Sequence, residues 1–108
     1  MTHELDLTHE TIIDTARLSP YARIDVVEIQ DPAGEVTYKV RRVDSLETEE
    51  MWPLEAAQAA QRLRDYAPSA IDKEKWLYRA EALEKAAKVA DAYQHIADTE
   101  KYRRYEEK

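Results

Sequence analysis

The sequence has no cysteine, no phenylalanine and a single glycine among its 108 residues. Without cysteine there is no disulfide, no thiolate nucleophile and no Cys-ligated zinc. That usage fits an intracellular chain, so a cytoplasmic location is expected. One glycine, Gly34, cannot build a P-loop or a dinucleotide-binding turn, both of which need several. The same shortage excludes a G-x-S-x-G nucleophile elbow. No apolar run approaches the roughly 20 residues of a membrane-spanning helix, and no apolar h-region opens the chain. A partner in the membrane is therefore not expected.

What is present is charge and tyrosine. Charged residues make up 36% of the chain and hydrophobic residues 44%, enough for one modest core with a well-solvated surface. The length suits a single domain, 1–108. Seven Tyr and two Trp supply the aromatic bulk. Such residues keep a polar handle and suit half-buried positions and interfaces.

The formal net charge is −7, and it is uneven. Residues 1–60 hold thirteen acids against five bases, a net of −8, whereas residues 61–108 hold ten against eleven, a net of +1. The densest acidic stretch is DSLETEEMWPLE, residues 44–55, with no base in it. A surface of this kind repels nucleic acid and attracts basic surfaces.

Periodicity gives the elements. Residues 3–7 alternate apolar and polar, which suggests a short N-terminal strand. Thr8 then stands where an N-cap would, and a helix is expected over 9–18 with Ile12, Ile13 and Ala16 inward, ended by Ser19-Pro20. Residues 21–30 and 35–43 are β-branched and Tyr-rich. Asp31-Pro32-Ala33-Gly34 between them has the turn chemistry of a β-hairpin. Pro53 suits the first position of a helix over 53–66, with Leu54, Ala57, Ala60 and Leu63 as its inner stripe. Ala67-Pro68 breaks the chain, and Ser69 with Asp72 resembles a capping box for a last helix over 70–104. That helix would be about 50 Å long, overhanging a compact domain of this size, so its polar end is expected to fray.

The candidate chemistry is thin. Thr-His-Glu occurs twice, but on a strand His3 and His9 would lie about 20 Å apart, and on a helix they would face different ways. His95 is remote in sequence, so no metal site and no cofactor is expected. The three serines sit before a proline, in the acidic stretch and at a helix start, each with a structural task. Adjacent carboxylates such as Glu49 and Glu50 need a desolvated cleft to become an acid–base pair. Tyr102-Arg103-Arg104-Tyr105 interleaves bases and aromatics as single-strand binders do, yet acids flank it, so direct nucleic-acid binding is not expected.

The reading is an α+β domain: a small antiparallel sheet built on the 21–43 hairpin, packed on one face by two or three helices. The expected function is non-catalytic binding, as an inhibitor or adaptor that engages a basic surface of another protein, one that can itself hold nucleic acid. Asp44, Glu47, Glu49 and Glu50 would supply charge and Trp52 the anchor, the anatomy of a hot spot inside a polar rim. In size and charge the chain resembles small acidic phage proteins that block host defence complexes, anti-CRISPR proteins among them; the resemblance is compositional and no motif carries it. Two alternatives come from other classes: a homo-oligomer, a homodimer for instance, built through the last helix, and a small enzyme using buried carboxylates.

Overall fold

A computed structural model describes residues 8–106, with side chains described as far as residue 103. The strand expected over 3–7 lies outside the described residues. The elements in order are β1 (His9–Ser19), β2 (Ala22–Gln30), β3 (Val36–Val43), β4 (Thr48–Met51), α1 (Pro53–Tyr66) and α2 (Lys73–Glu106), with a short 3-10 turn at Ala67–Ser69 between the helices. The four strands form one antiparallel meander in the order β1-β2-β3-β4. The class is α+β, as the periodicity implies.

The hairpin forms where its turn residues dictate. The Asp31 carboxylate accepts the N–H groups of Ala33 and Glu35, each at 2.9 Å, and Gly34 takes φ 88°, the left-handed position a side chain would disfavour. Val26 then stands opposite Val40, and Ile24 and Val26 reach the helices from β2.

Residues 9–18 correct the helical expectation: they are strand β1, paired with β2 from His9↔Gln30 to Ser19↔Ala22, with irregularities at Ile13 and Leu18. Four β-branched residues, Thr11, Ile12, Ile13 and Thr15, lose rotamer freedom in a helix and fit a pleated surface. The ladder to β2 then decides the matter. A bulge at Ile13 re-aims the strand, so that both Ile13 and Leu18 pack against the core.

One face of the sheet carries the core. Ile24, Val26, Tyr38, Val40 and Met51 meet Ala56 and Ala60 of α1 and Leu83, Ala86, Ala87 and Ala90 of α2. The helix faces are mostly alanine, which lets both helices lie close to the sheet and to each other. The inner stripe of α1 is displaced from the expected one: Ala56 and Ala60 are buried, Leu63 is half-buried, and Leu54 and Ala57 face solvent. Trp52 precedes the helix and Pro53 opens it, while the Glu55 carboxylate accepts the Trp52 N–H at 3.0 Å. An indole has no acceptor to return that bond, so half of a capping box forms.

Ser69 donates to the Tyr66 carbonyl at 2.8 Å, closing the turn after α1 instead of capping α2, which begins three residues later than expected, at Lys73. From there α2 runs without interruption to Glu106. At 1.5 Å per residue it is about 50 Å long. The molecule is accordingly elongated: its longest extent is 57 Å and its radius of gyration 16.5 Å, against about 13 Å for a compact chain of this length. The overhang is fastened to the β2–β3 end of the sheet by Lys101, 2.6 Å from Glu35, and by Gln94.

Candidate functional site

The acidic stretch is the second half of a hairpin. Val40 pairs with Met51, Arg41 with Glu50, Arg42 with Glu49 and Val43 with Thr48. Because strand side chains alternate, Arg41 and Arg42 point to opposite faces of the sheet, and so do Glu50 and Glu49. Val40 and Met51 mark the helix face, so Arg42 and Glu49 lie at its rim. Arg41, Glu50 and Lys39 lie on the face away from the helices.

The five residues singled out in the sequence therefore divide into two groups. Asp44, Glu47 and Glu49 converge on Arg42, at 2.6, 2.8 and 3.4 Å. Hydrogen bonds to these carboxylates, Glu47 foremost, raise the Arg42 pKa against the opposing effect of burial. Three carboxylates share Arg42, and Arg79 of α2 also lines this corner, which leaves carboxylates in excess of guanidiniums by one. Glu50 and Trp52 belong to the second group. Arg41 lies between Glu50 and Glu10 of β1; burial opposes its charge, and the bonds to these two carboxylates more than offset that. Lys39 approaches Glu50 at 3.9 Å and stands 4.6 Å above the Trp52 ring. Trp52 is about half exposed and sits at the far end of β4 from the 44–47 turn.

The turn itself is rigidly made. Asp44 donates its N–H to the Glu47 carbonyl at 3.0 Å, and its carboxylate accepts the N–H groups of Leu46 and Glu47 at 2.8 and 2.9 Å. Those two bonds, with Arg42, hold the Asp44 carboxyl below the usual carboxylate range. At the tip the Leu46 side chain is 93% exposed. Beside it, on the turn joining β1 to β2, Tyr21 is 75% exposed. The two apolar side chains, with Asp44, Glu47 and Ser19, line a shallow depression of about 460 Å³ at this end of the sheet.

The sequence does not mark Leu46 or Tyr21, and it shows Arg41-Arg42 as a basic spot at the end of the hairpin, not as the group that organises the carboxylates. A signal for the arginines exists: Arg41-Arg42 and Glu49-Glu50 flank an Asp-Ser turn at a spacing that lets them pair across a hairpin. Nothing in the sequence alone marks Leu46 as exposed.

Asp25 is the buried carboxylate of the sheet. It is fully shielded on the face away from the helices, and its oxygens accept Thr15 Oγ1 at 2.9 Å and Arg23 Nε at 3.0 Å. With both oxygens engaged it has the geometry of a structural anchor. His9 and His95 are exposed and lie on β1 and α2. Among the described residues no group of three or more metal-ligating side chains converges, and no helix is long and apolar enough to cross a membrane. In comparison with known proteins, the chain matches no family model, no curated protein and no solved structure.

Proposed function

We propose that this protein is a non-catalytic binding module, an inhibitor or adaptor that engages a basic surface of a partner protein through its 44–47 turn. The observation that carries the reading is Leu46: an apolar side chain fully presented to solvent on a turn that Asp44 and Arg42 hold in one conformation. A turn whose backbone is already ordered loses less entropy on binding than a free loop. The excess of carboxylate around it, from Asp44, Glu47 and Glu49, gives the rim that favours a basic partner and speeds encounter. Trp52 and Glu50, on the other face and at the other end of β4, form a separate patch, so the anchor inside the acidic rim is Leu46.

The pairing of the acids alters the experiment. Reversing Glu47, Glu49 and Glu50 to Lys would also break the sheet's own ion pairs, so loss of binding would be ambiguous. Leu46→Ser touches no pair. The test is capture of partners from source cells on wild type and on Leu46→Ser, at low and high salt. A protein with a basic surface that is held by wild type, released by salt and lost with Leu46→Ser supports the reading. Equal retention by both forms refutes it.

A second reading has its own observation. The overhanging half of α2 exposes Tyr93, Ile96 and Tyr102, the last 68% accessible. A homo-oligomer through this segment would show a mass above that of the monomer in light scattering, insensitive to salt and lost with Ile96→Glu.

A further inference from the structure

A cavity of about 290 Å³ opens where the sheet meets both helices, beside Arg42. Its walls are apolar: Leu18, Ile24, Met51, Leu63, Leu83 and the edge of Trp76. Three arginines, Arg42, Arg62 and Arg79, and one carboxylate, Glu49, also line it, in a chain whose net charge is −7. Their situations differ. Arg42 is spent on Asp44, Glu47 and Glu49. Arg79 stacks its guanidinium 5.4 Å from the Trp76 ring centre and has no carboxylate within ion-pair distance among the described residues. Arg62 has none either.

From this arrangement we infer that the cavity is a binding site for a small amphiphilic carboxylate, a molecule with an apolar body and one anionic head. The volume suits about a dozen non-hydrogen atoms, at the lower end of ligand pockets. Apart from the arginines, the polar side chains of the lining are already engaged: Glu49 with Arg42 at 3.4 Å and the Trp76 Nε1 with Asp72 at 3.2 Å. The two unanswered guanidiniums come from different helices, one from α1 and one from α2. A planar, five-donor group matches a carboxylate head, and a charge-assisted bond of this kind is stronger than a neutral one. Trp76 holds Arg79 in place: its ring takes the Arg79 stack on one side and the edge-on Tyr66 ring, 5.3 Å away, on another, while its Nε1 donates to Asp72 at 3.2 Å. The protein's overall negative charge does not preclude an anion here: Glu49 in the lining is paired with Arg42, and charges more than about 8 Å away are largely screened at physiological salt.

Decanoate, decanol and decyltrimethylammonium share a chain of suitable size and differ in head charge, which makes them the probes. Each is titrated into the purified protein by calorimetry, below its aggregation concentration, with the Trp76 indole resonance as a local reporter. Decanoate is expected to bind once and saturably, with decanol at least tenfold weaker and the ammonium weaker still. Arg62→Gln combined with Arg79→Gln should weaken decanoate about tenfold or more and leave decanol unchanged, with the circular dichroism of the fold intact. Ala59→Leu, which fills the cavity from α1, should abolish both. Equal affinity for decanoate and decanol, unchanged decanoate affinity in the double variant, or no saturable binding would each overturn the assignment. The readouts use purified protein and no macromolecular partner, so they are independent of the 44–47 turn.

Discussion

Gln94 of α2 and Tyr38 of β3 meet as side chain and backbone: the Gln94 carboxamide oxygen accepts the Tyr38 N–H at 2.9 Å, while its nitrogen donates to the Val36 carbonyl at 3.1 Å. β4 pairs only with Val40–Val43, which leaves the other half of the β3 edge without a neighbouring strand among the described residues. One side-chain amide replaces the missing backbone there, and it does so from the core, on a helix. A vacant strand edge invites pairing with other chains. Gln94→Ala should therefore lower stability by about 1–3 kcal/mol, the usual consequence of leaving buried backbone groups unsatisfied. Its signature is local: the Tyr38 amide should lose hydrogen-exchange protection while the Val26 and Val40 amides keep theirs. Uniform loss across the sheet would contradict the edge-closing role.

Asp25 is fully buried and its partners are unequal: Thr15 is neutral, whereas Arg23 carries the compensating charge with 38% of its side chain exposed. Removing the cation leaves a buried carboxylate uncompensated, and such losses reach about 3–5 kcal/mol. Replacing the carboxylate by an amide is milder. An Asn at this position can turn its oxygen toward Arg23 and its nitrogen toward the Thr15 hydroxyl, which can accept. Arg23→Gln is thus expected to destabilise more than Asp25→Asn. Denaturant unfolding of both variants decides it, and the reverse order would mean that Arg23 contributes little.

The elements legible in the sequence were those whose signals are local. The Asp-Pro-Ala-Gly turn fixes the β2–β3 hairpin within four residues, and Pro53 fixes the start of α1. β1 has the local look of a helix, because Thr8 stands like a cap and Ile12, Ile13 and Ala16 fit one helical face over a single window; the pairing with β2 that settles it is not local. Leu54 was placed inward because an alanine-rich helix has little contrast between its faces. The acidic stretch reads as an unbroken negative run because its pairing with Arg41 and Arg42, across β3 and β4, is not visible along the chain. Once β4 is laid against β3, part of the charge is cancelled and the remainder is gathered at the 44–47 turn.

Tyr38 gives the protein an alkaline dependence. Burial, and then the bond from its hydroxyl to Glu28 at 2.7 Å with the charge of that carboxylate, push its pKa up to about 12 from the ordinary 10.0. Between these values the unfolded chain loses the Tyr38 proton while the folded chain keeps it. Stability due to this group is therefore full below pH 10 and is lost as pH rises through 12. Tyr38→Phe lacks the ionisable group, so the stability advantage of wild type over this variant should be constant below pH 10 and shrink above it. Thermal melts of the pair at a series of pH values measure that difference. A gap that stays constant across the alkaline range would show that the hydroxyl ionises as freely in the folded protein as in the unfolded one.

The Arg42 corner gives the opposite, acidic dependence. Backbone bonds from Leu46 and Glu47, together with Arg42, depress the Asp44 pKa below its ordinary 3.8, so the stabilisation this carboxylate gives is present above that value and is lost as pH falls through the depressed one. Arg42→Met keeps the aliphatic stem over the core rim but leaves Asp44, Glu47 and Glu49 facing one another. Their repulsion should make the variant less stable than wild type at pH 7, more so at low salt, where surface charges are less screened. As the pH falls and Asp44 takes up its proton, its attraction to Arg42 in wild type and its repulsion from its neighbours in the variant are both lost, so the gap between the two proteins should narrow. Leu46 offers a second reading of the same experiment. If Arg42 organises the turn, Arg42→Met should broaden or shift the Leu46 methyl resonances at pH 7. If Asp44 alone suffices, the methyl signals stay put while the melting temperature falls, and the rigidity that makes Leu46 an anchor resides in the two backbone bonds to Asp44.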